Sequence, residues 1–119
     1  MLPFKVTDGG VLIIRLRADL DISGRAASAW AIDGCLTGHR SAPVVLELSD
    51  APLTPAAMST VLRVHHMCRF AGAPLAVVAA HAEARRALTA GNAAPAVHPT
   101  RSSAVAALSA TLTKVVAAA

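Results

Sequence analysis

The stretch from residue 44 to residue 62 constrains the fold most, because a short apolar run passes through a turn into a well-marked helix start. The run from Val44 to Leu48 is typical of a strand that is covered on both faces. Thr54 can cap the following helix, and Pro55 suits its first position, where a missing N–H costs nothing. Leu53 and Met58 have the spacing of a hydrophobic staple across that cap. A buried strand leading into a helix predicts a sheet with helical cover.

Similar patterns along the rest of the chain predict further strands and helices. The predicted strands are 4–6 and 11–16 as a hairpin, then 43–48, 75–79 and a weak edge strand at 96–98. The predicted helices run from Asp21 or Ser23 to about residue 38, over 55–70, over about 82–90, and from Ser102 or Ser103 onward. Gly91 and Asn92 suit a left-handed cap for the third helix. We expect one α/β domain over residues 1–119, with a mixed β-sheet of four to five strands covered by about four helices.

Helical spacing predicts which faces of the first two helices are buried. In the first helix one face carries Ala27, Trp30, Ala31, Gly34 and Cys35, so we expect Trp30 in the core. In the second helix the apolar steps fall on Met58, Val61, Leu62, His65 and Cys68. Cys35 and Cys68 form neither a metal motif nor a disulfide framework. We expect buried thiols, and a pairing between them is the open alternative.

Composition excludes some classes of function. The formal net charge is +4, but the Lys and Arg residues are scattered and aromatics make up only 3%. Nucleic-acid binding needs a clustered basic patch with stacking partners, so no direct nucleic-acid contact is predicted. No apolar run approaches the roughly 18 residues of a membrane span, and the first residues lack signal-peptide features. We expect a cytoplasmic protein without membrane contact.

Three further runs carry a family resemblance, together with the order of the elements. Glu47-Leu48-Ser49 stands at a strand end, Ala-Asp-Leu-Asp occupies 18–21, and Ala-Arg-Arg-Ala-Leu occupies 84–88 ahead of Gly91. They resemble the Asp-Leu-Ser-like strand end, the Gly-Glu-Leu-Asp run and the third helix of STAS domains of bacterial anti-sigma factor antagonists. The resemblance extends over about residues 4–112 and implies a STAS-like fold.

The signature motif of that family has diverged in this chain. There the helix opens with Asp-Ser-Ser-Gly-Leu, whose second Ser is phosphorylated by a partner anti-sigma kinase. When the helix is aligned backwards from Val61-Leu62, residues 54–58 (Thr-Pro-Ala-Ala-Met) fall on this motif. The turn before the helix is then one residue shorter than in the common pattern. Ala56 then occupies the phosphoacceptor position and has no hydroxyl. Ala57 replaces the Gly, and we expect its methyl group to narrow the approach of a partner.

The resemblance implies a non-catalytic module for bacterial signalling and transcription regulation that binds an anti-sigma factor or anti-sigma kinase. The turns at 20–25 and 50–60 would form the contact. The partner-binding residues expected are Asp21, Ser23, Thr54, Pro55, Ala56, Ala57, Met58 and Ser59. Several alternatives stay open. Asp21 could serve only as a helix cap, Thr54 or Ser59 could accept phosphate instead, the chain could be a decoy that no longer binds, and it could form a homodimer.

Other classes of site find less support in the sequence. His65, His66 and Cys68 do not share one helix face, so no metal site is predicted there. His39, His81 and His98 are isolated, and we expect them to be solvated. Catalytic residue orders, phosphate-binding Gly loops and paired carboxylates are missing, so we expect neither an enzyme nor a cofactor. The alternative function is a STAS domain that senses a small ligand or a nucleotide.

Overall fold

Five strands form one mixed sheet whose spatial order is the order of the sequence. The computed structural model describes residues 4–8, 10–38, 42–91 and 94–118, with side chains at 10–38, 42–91 and 94–110. The strands are β1 (Phe4–Asp8), β2 (Val11–Leu16), β3 (Val44–Leu48), β4 (Leu75–Val78) and β5 (Ala96–His98). β1 pairs antiparallel with β2, and the following strands pair in parallel. The predicted mixed sheet and its opening hairpin are confirmed.

Four helices cover the two faces of this sheet. They are α1 (Ile22–Gly38), α2 (Pro55–Ala71), α3 (Ala82–Thr89) and α4 (Arg101–Ala118). The strand order runs in one direction from β2 to β5, so right-handed crossovers bring α1, α2 and α3 to the same face. Buried residues of these three helices accordingly share one core cluster, whereas α4 packs on the opposite face. The predicted α/β class is confirmed.

The larger half of the core lies between the sheet and helices α1 to α3. Alternate residues of the strands point into it, and the helices contribute Ile32, Val61, Val64, Cys68 and Leu88. Burial raises the pKa of the Cys68 thiol to about 11, which keeps it protonated at neutral pH. Cys35 is half-buried, and no disulfide joins it to Cys68.

The smaller half of the core lies under α4. The strands supply Val11, Ile13, Val45, Ala76 and Val78, and α4 supplies Ala104 and Leu108. An ion pair fastens the start of α4 to β3: Arg101 donates from Nε and Nη2 to the two oxygens of Glu47 at 2.7 and 2.9 Å. The Arg101 hydrogen bond is the main cause that lowers the pKa of Glu47.

Three side chains on the predicted core faces lie on the surface. Trp30 is 81% exposed, Leu62 is 47% exposed and Ala27 is exposed as well, so these predictions are wrong. Ala and Gly occur on every side of α1, and apolar spacing therefore fits more than one face. The sheet accommodates the side with Ile32 and the small residues Ser28 and Ala29, which leaves the indole pointing outward.

Two helix caps also differ from expectation. Thr100 caps α4 in place of Ser102 or Ser103, because the backbone N–H of Ser103 donates to the Thr100 hydroxyl at 3.1 Å. Among the described glycines, the left-handed conformation after a helix occurs at Gly72 (φ 73°) at the end of α2. The cap predicted at Gly91 is wrong, since α3 ends in a right-handed turn at Ala90. Asn92 lies outside the described residues.

Candidate functional site

Two loops lie side by side at the carboxyl ends of β2 and β3, where ligands of parallel sheets commonly bind. They are the first loop, residues 17–21, and the second loop, residues 49–54. The backbone N–H of Ala18 donates to the Ser49 hydroxyl at 2.8 Å, and the N–H of Thr54 donates to the carbonyl of Ala18 at 2.9 Å. The two turns that the sequence indicates for partner contact are thereby joined into one surface, which we call the joined-loop surface (17–23 and 49–59).

The Thr54 hydroxyl is the central link of this surface. It accepts the backbone N–H of Ala57 at 3.2 Å and so caps α2, as predicted. It also donates to the carbonyl oxygen of Leu20. The carbonyl oxygen of Ala18, 3.3 Å away, is a second acceptor for the same hydrogen. A hydroxyl has a single hydrogen to donate, so the donor of Thr54 is used inside the fold. A phosphate on Thr54 would break these bonds.

Asp21 caps α1 at the other side of the surface. Its Oδ1 accepts the backbone N–H of Gly24 at 2.8 Å and the hydroxyl of Ser23 at 2.9 Å. The Gly24 hydrogen bond, followed by that of Ser23, lowers the pKa of Asp21. The carboxylate nevertheless stays exposed, so Asp21 can cap the helix and present a negative charge at once.

Ala56 and Ala57 contribute little to the accessible surface. Ala56 is 5% exposed and Ala57 is fully buried in the larger half of the core. The methyl group of Ala57 therefore does not narrow a partner's approach, and that prediction is wrong. Around the same helix start Pro55 and Ser59 are exposed and Met58 is half-buried. The accessible side chains at this helix start are therefore those of Pro55 and Met58 within the motif and of Ser59 just after it.

A cavity of about 530 Å³ opens between the start of α2 and α3, next to the joined-loop surface. Its lining consists of Pro52, Leu53, Thr54, Pro55, Met58, His81, Glu83, Ala84 and Ala87. Nε2 of His81 lies 2.6 Å from Oδ1 of Asp50, so a close polar contact links the second loop to the start of α3. His81 is therefore not isolated, although its side chain is exposed to solvent as predicted. Neither the cavity nor this pair has a local sequence signal, because both depend on segments far apart in the chain.

The outer face of α2 is basic and partly apolar. Arg63, His66 and Arg69 are exposed, as are Leu62 and Phe70. No Asp or Glu occurs anywhere in the helix. This face continues from the joined-loop surface and suits an acidic partner.

The residues that the structure describes contain no group of three or more His, Cys, Asp or Glu side chains that could hold a metal ion. Within the same ranges, no helix is long and apolar enough to cross a membrane. His39 lies outside the described residues.

Comparisons with known proteins give the fold but no family. No family model matches this chain, and no curated protein matches its sequence significantly. Among solved structures, the chain is similar to the one titled "NMR Structure of the protein TM1081", with a TM-score of 0.65 and 19% identity. The similarity covers 85% of this chain and 83% of that chain. At this level of identity the two proteins share the fold over most of their length.

Proposed function

We propose that this α/β domain is a STAS-like, non-catalytic module that binds an anti-sigma factor or anti-sigma kinase through the joined-loop surface. The observation that carries the proposal is the direct bonding of the first loop to the second loop through Ala18, Ser49 and Thr54. It makes the two predicted contact segments one preorganised surface, and a rigid surface loses little entropy on binding. The proposed function puts the chain in the cytoplasm.

The same contacts support partner binding that is not controlled by phosphorylation of a Ser. A phosphoryl group adds about two negative charges and so changes the contact with a partner. Ala56, at the family's phosphoacceptor position, has no hydroxyl and is 5% exposed. The hydroxyl of Thr54 is engaged with backbone groups, which leaves Ser59, one residue past the motif, as the accessible hydroxyl at this helix start. Ser59 lies three residues further along α2, so we expect no transfer to it by a kinase adapted to the family position.

The first experiment measures binding and phosphorylation together. The full chain is titrated against purified anti-sigma kinases and anti-sigma factors by calorimetry, and is incubated with the kinases and ATP before mass spectrometry. We expect binding with a Kd of roughly micromolar order and no added phosphate. Stoichiometric phosphate on any residue would contradict the proposal that phosphorylation does not control binding. Absence of binding to every such protein at about 100 µM would reject the proposal and favour the decoy.

A matched pair of variants locates the contact. Ser59→Glu adds a charge on the joined-loop surface, and Ser109→Glu makes the same change at an exposed position of α4 on the opposite face of the sheet. We expect Ser59→Glu to weaken partner binding at least about tenfold and Ser109→Glu to leave it unchanged. Equal effects of the two variants would place the contact elsewhere.

A small-ligand sensor is the second candidate, and the cavity of about 530 Å³ beside Thr54 favours it. This volume is within the range of small-molecule sites, and the lining is largely apolar with Glu83 and His81 as polar groups. Thermal unfolding with nucleotides and with lipids tests the idea. A rise in Tm that is lost in Ala87→Phe, which fills the cavity, would support it, whereas unchanged Tm values throughout would reject it.

A further inference from the structure

The cavity between the start of α2 and α3 combines apolar walls with a single carboxylate. The second loop contributes Pro52 and Leu53 to the walls, and α3 contributes Ala84 and Ala87. Among the described residues that line the cavity, Glu83 is the only Asp, Glu, Lys or Arg. A ligand in this space of about 530 Å³ is therefore held mainly by apolar contact, with one charge to orient it.

The hydrogen-bond donors at the start of α2 are already used inside the fold. The Thr54 hydroxyl donates to a backbone carbonyl of the first loop. The backbone N–H of Thr54 donates to the carbonyl of Ala18, and that of Met58 donates to the carbonyl of Thr54, both at 2.9 Å. Pro52 and Pro55 have no N–H. An anionic ligand needs such donors and finds few of them on this side of the cavity.

The charge at the start of α3 is negative. The end of a helix that exposes its first N–H groups carries about half a positive charge, and Glu83 in the first turn carries a full negative one. Asp50, which contacts His81 at the cavity, adds a second carboxylate nearby. The site is thus negative although the chain has a formal net charge of +4.

The arginines of α3 do not line the cavity. Arg85 turns back along the chain, and its Nη1 donates to the carbonyls of Ala79 and Ala80, each at 2.8 Å. Arg86 lies about 100° around the helix from Ala87, which does line the cavity. No cation of α3 is therefore placed to neutralise the carboxylate there.

The carboxylate of Glu83 is available to a ligand. Asp19 and Glu47 are each held by an arginine. Glu83 is exposed, and its side chain forms no hydrogen bond or ion pair within the part of the chain that the structure describes. A cationic group that enters the cavity can pair with it without displacing an internal partner.

We propose that this cavity binds a small organic cation, with an apolar body between α2 and α3 and an ammonium group against Glu83. The inference names the ligand class for the small-ligand function, on which it rests, and it does not depend on binding of an anti-sigma protein. Nucleotides are disfavoured, because their phosphates would lie beside a carboxylate. Since Glu83 is exposed, solvent screens the pair, and we expect a preference of about fivefold for the cation over a neutral ligand of the same shape.

The first test compares three probes that share a phenyl body: phenethylamine, phenethyl alcohol and hydrocinnamate, which end in a cationic, a neutral and an anionic group. Each is titrated into the full chain, and the NMR shifts of the backbone amides give the Kd and locate the contact. Ligands of this size reach a Kd on the order of 1 mM, so the titration extends to about 20 mM. We expect the amine to bind about fivefold more tightly than the alcohol, and the carboxylate to bind more weakly than the alcohol. The preference should shrink in about 0.5 M salt.

The second test moves the charge. Glu83→Gln should bind the amine and the alcohol equally, and Glu83→Lys should bind the carboxylate more tightly than the amine. Asp33→Lys is the control, because it makes the same change at an exposed position of α1, on the far side of α2 from the cavity. It should keep the preference of the wild type. Ala87→Phe, which fills the cavity, should abolish binding of all three probes.

The outcomes separate the ligand class from the site. Equal binding of the amine and the alcohol by the wild type, or an unchanged preference in Glu83→Lys, would overturn the assignment of a cation and leave the small-ligand function standing. Binding that survives in Ala87→Phe would place the contact outside the cavity and overturn the proposal. Absence of shifts with every probe at about 20 mM would overturn both the proposal and the small-ligand function.

Discussion

A single hydroxyl, that of Thr54, holds three segments of backbone together. It caps α2 at Ala57 and also donates to Leu20 in the neighbouring loop. Thr54→Val keeps the shape of the side chain and removes both interactions. We expect it to lower the free energy of unfolding by about 2 kcal/mol, measured by urea denaturation.

Thr54→Ser is the control for this measurement, because it retains the hydroxyl. It should cost clearly less than Thr54→Val. If both variants unfold at the same urea concentration, the hydroxyl does not fasten the loops.

Glu47 makes stability depend on pH at the acidic end. Hydrogen bonding from Arg101 lowers its pKa in the folded state below the ordinary value of 4.5. The unfolded chain therefore binds the proton first, and stability is lost as the pH falls from about 4.5 through the lower folded pKa. In Glu47→Gln this part of the acid dependence should be absent, as measured by urea denaturation between about pH 6 and about pH 2.

Asp19 provides the exposed counterpart for the Glu47 measurement. Its pKa is also lowered by an Arg, Arg17, but the pair lies in solvent and is screened. Asp19→Asn should leave the acid dependence nearly that of the wild type. An equal change in the two variants would show that burial of Glu47 is unimportant.

The role of a single residue can be predicted from the sequence where its interaction is local. Thr54 and Pro55 lie within one turn of the helix they begin, so the residue types alone predict the cap. The contact of His81 with Asp50 depends on how β3 and β4 align, and no local pattern around either residue predicts it. The burial of Ala57 likewise follows from packing that a family motif does not describe.

The helix ends differ in how much they depend on glycine. Gly72 ends α2 with φ at 73°, a conformation that costs an L-residue about 1 kcal/mol or more. Gly91 follows α3 without a positive φ, and a Cβ built there meets no atom within 4 Å. We expect Gly72→Ala to destabilise the chain by about 1 kcal/mol and Gly91→Ala to have little effect, measured by thermal or urea unfolding.

The two glycine variants control each other, since both make the same change just after a helix. A larger cost at Gly91 than at Gly72 would contradict the assigned caps. The sequence predicted a left-handed cap at Gly91 because Asn92, another residue that favours the left-handed region, follows it. The backbone φ, which the sequence does not show, decides between them.

Element boundaries were predictable because apolar periodicity changes at turns rich in Gly and Pro. The rotation of α1 was not, because a helix built largely of Ala, Gly and Ser offers weak contrast between its faces. Only docking against the sheet distinguishes Ile32 from Trp30.

The sheet divides the whole molecule into two core halves that share no helix. Leu88 of α3 lies in the larger half and Leu108 of α4 in the smaller half. Leu88→Val and Leu108→Val should each cost about 1 kcal/mol. Because the two sites have no common partner, we expect the double variant to show the sum within about 0.5 kcal/mol, measured by urea denaturation.

A directly bonded pair serves as the positive control for this cycle. Glu47→Gln combined with Arg101→Met should deviate from additivity by about 1 kcal/mol or more. A comparable deviation for Leu88 and Leu108 would mean that the sheet transmits packing changes between the halves.

The fold class followed from the alternation of strand and helix patterns, since strong chirality rules leave few arrangements for such an order. The cavity beside Thr54 could not be foreseen in the same way. It lies between the start of α2 and α3, and the space between them depends on how both helices pack on the sheet.

The position of α4 has a consequence for how the protein is made. Every strand that α4 covers precedes it in the chain, and in the described residues no other helix covers that face. During synthesis the other three helices can close their side while Ile13 and Val45 still face water. The nascent chain therefore passes through a stage in which one apolar face of the sheet is exposed, and chaperone protection matters most then. This stage ends when α4 leaves the ribosome and packs on the sheet.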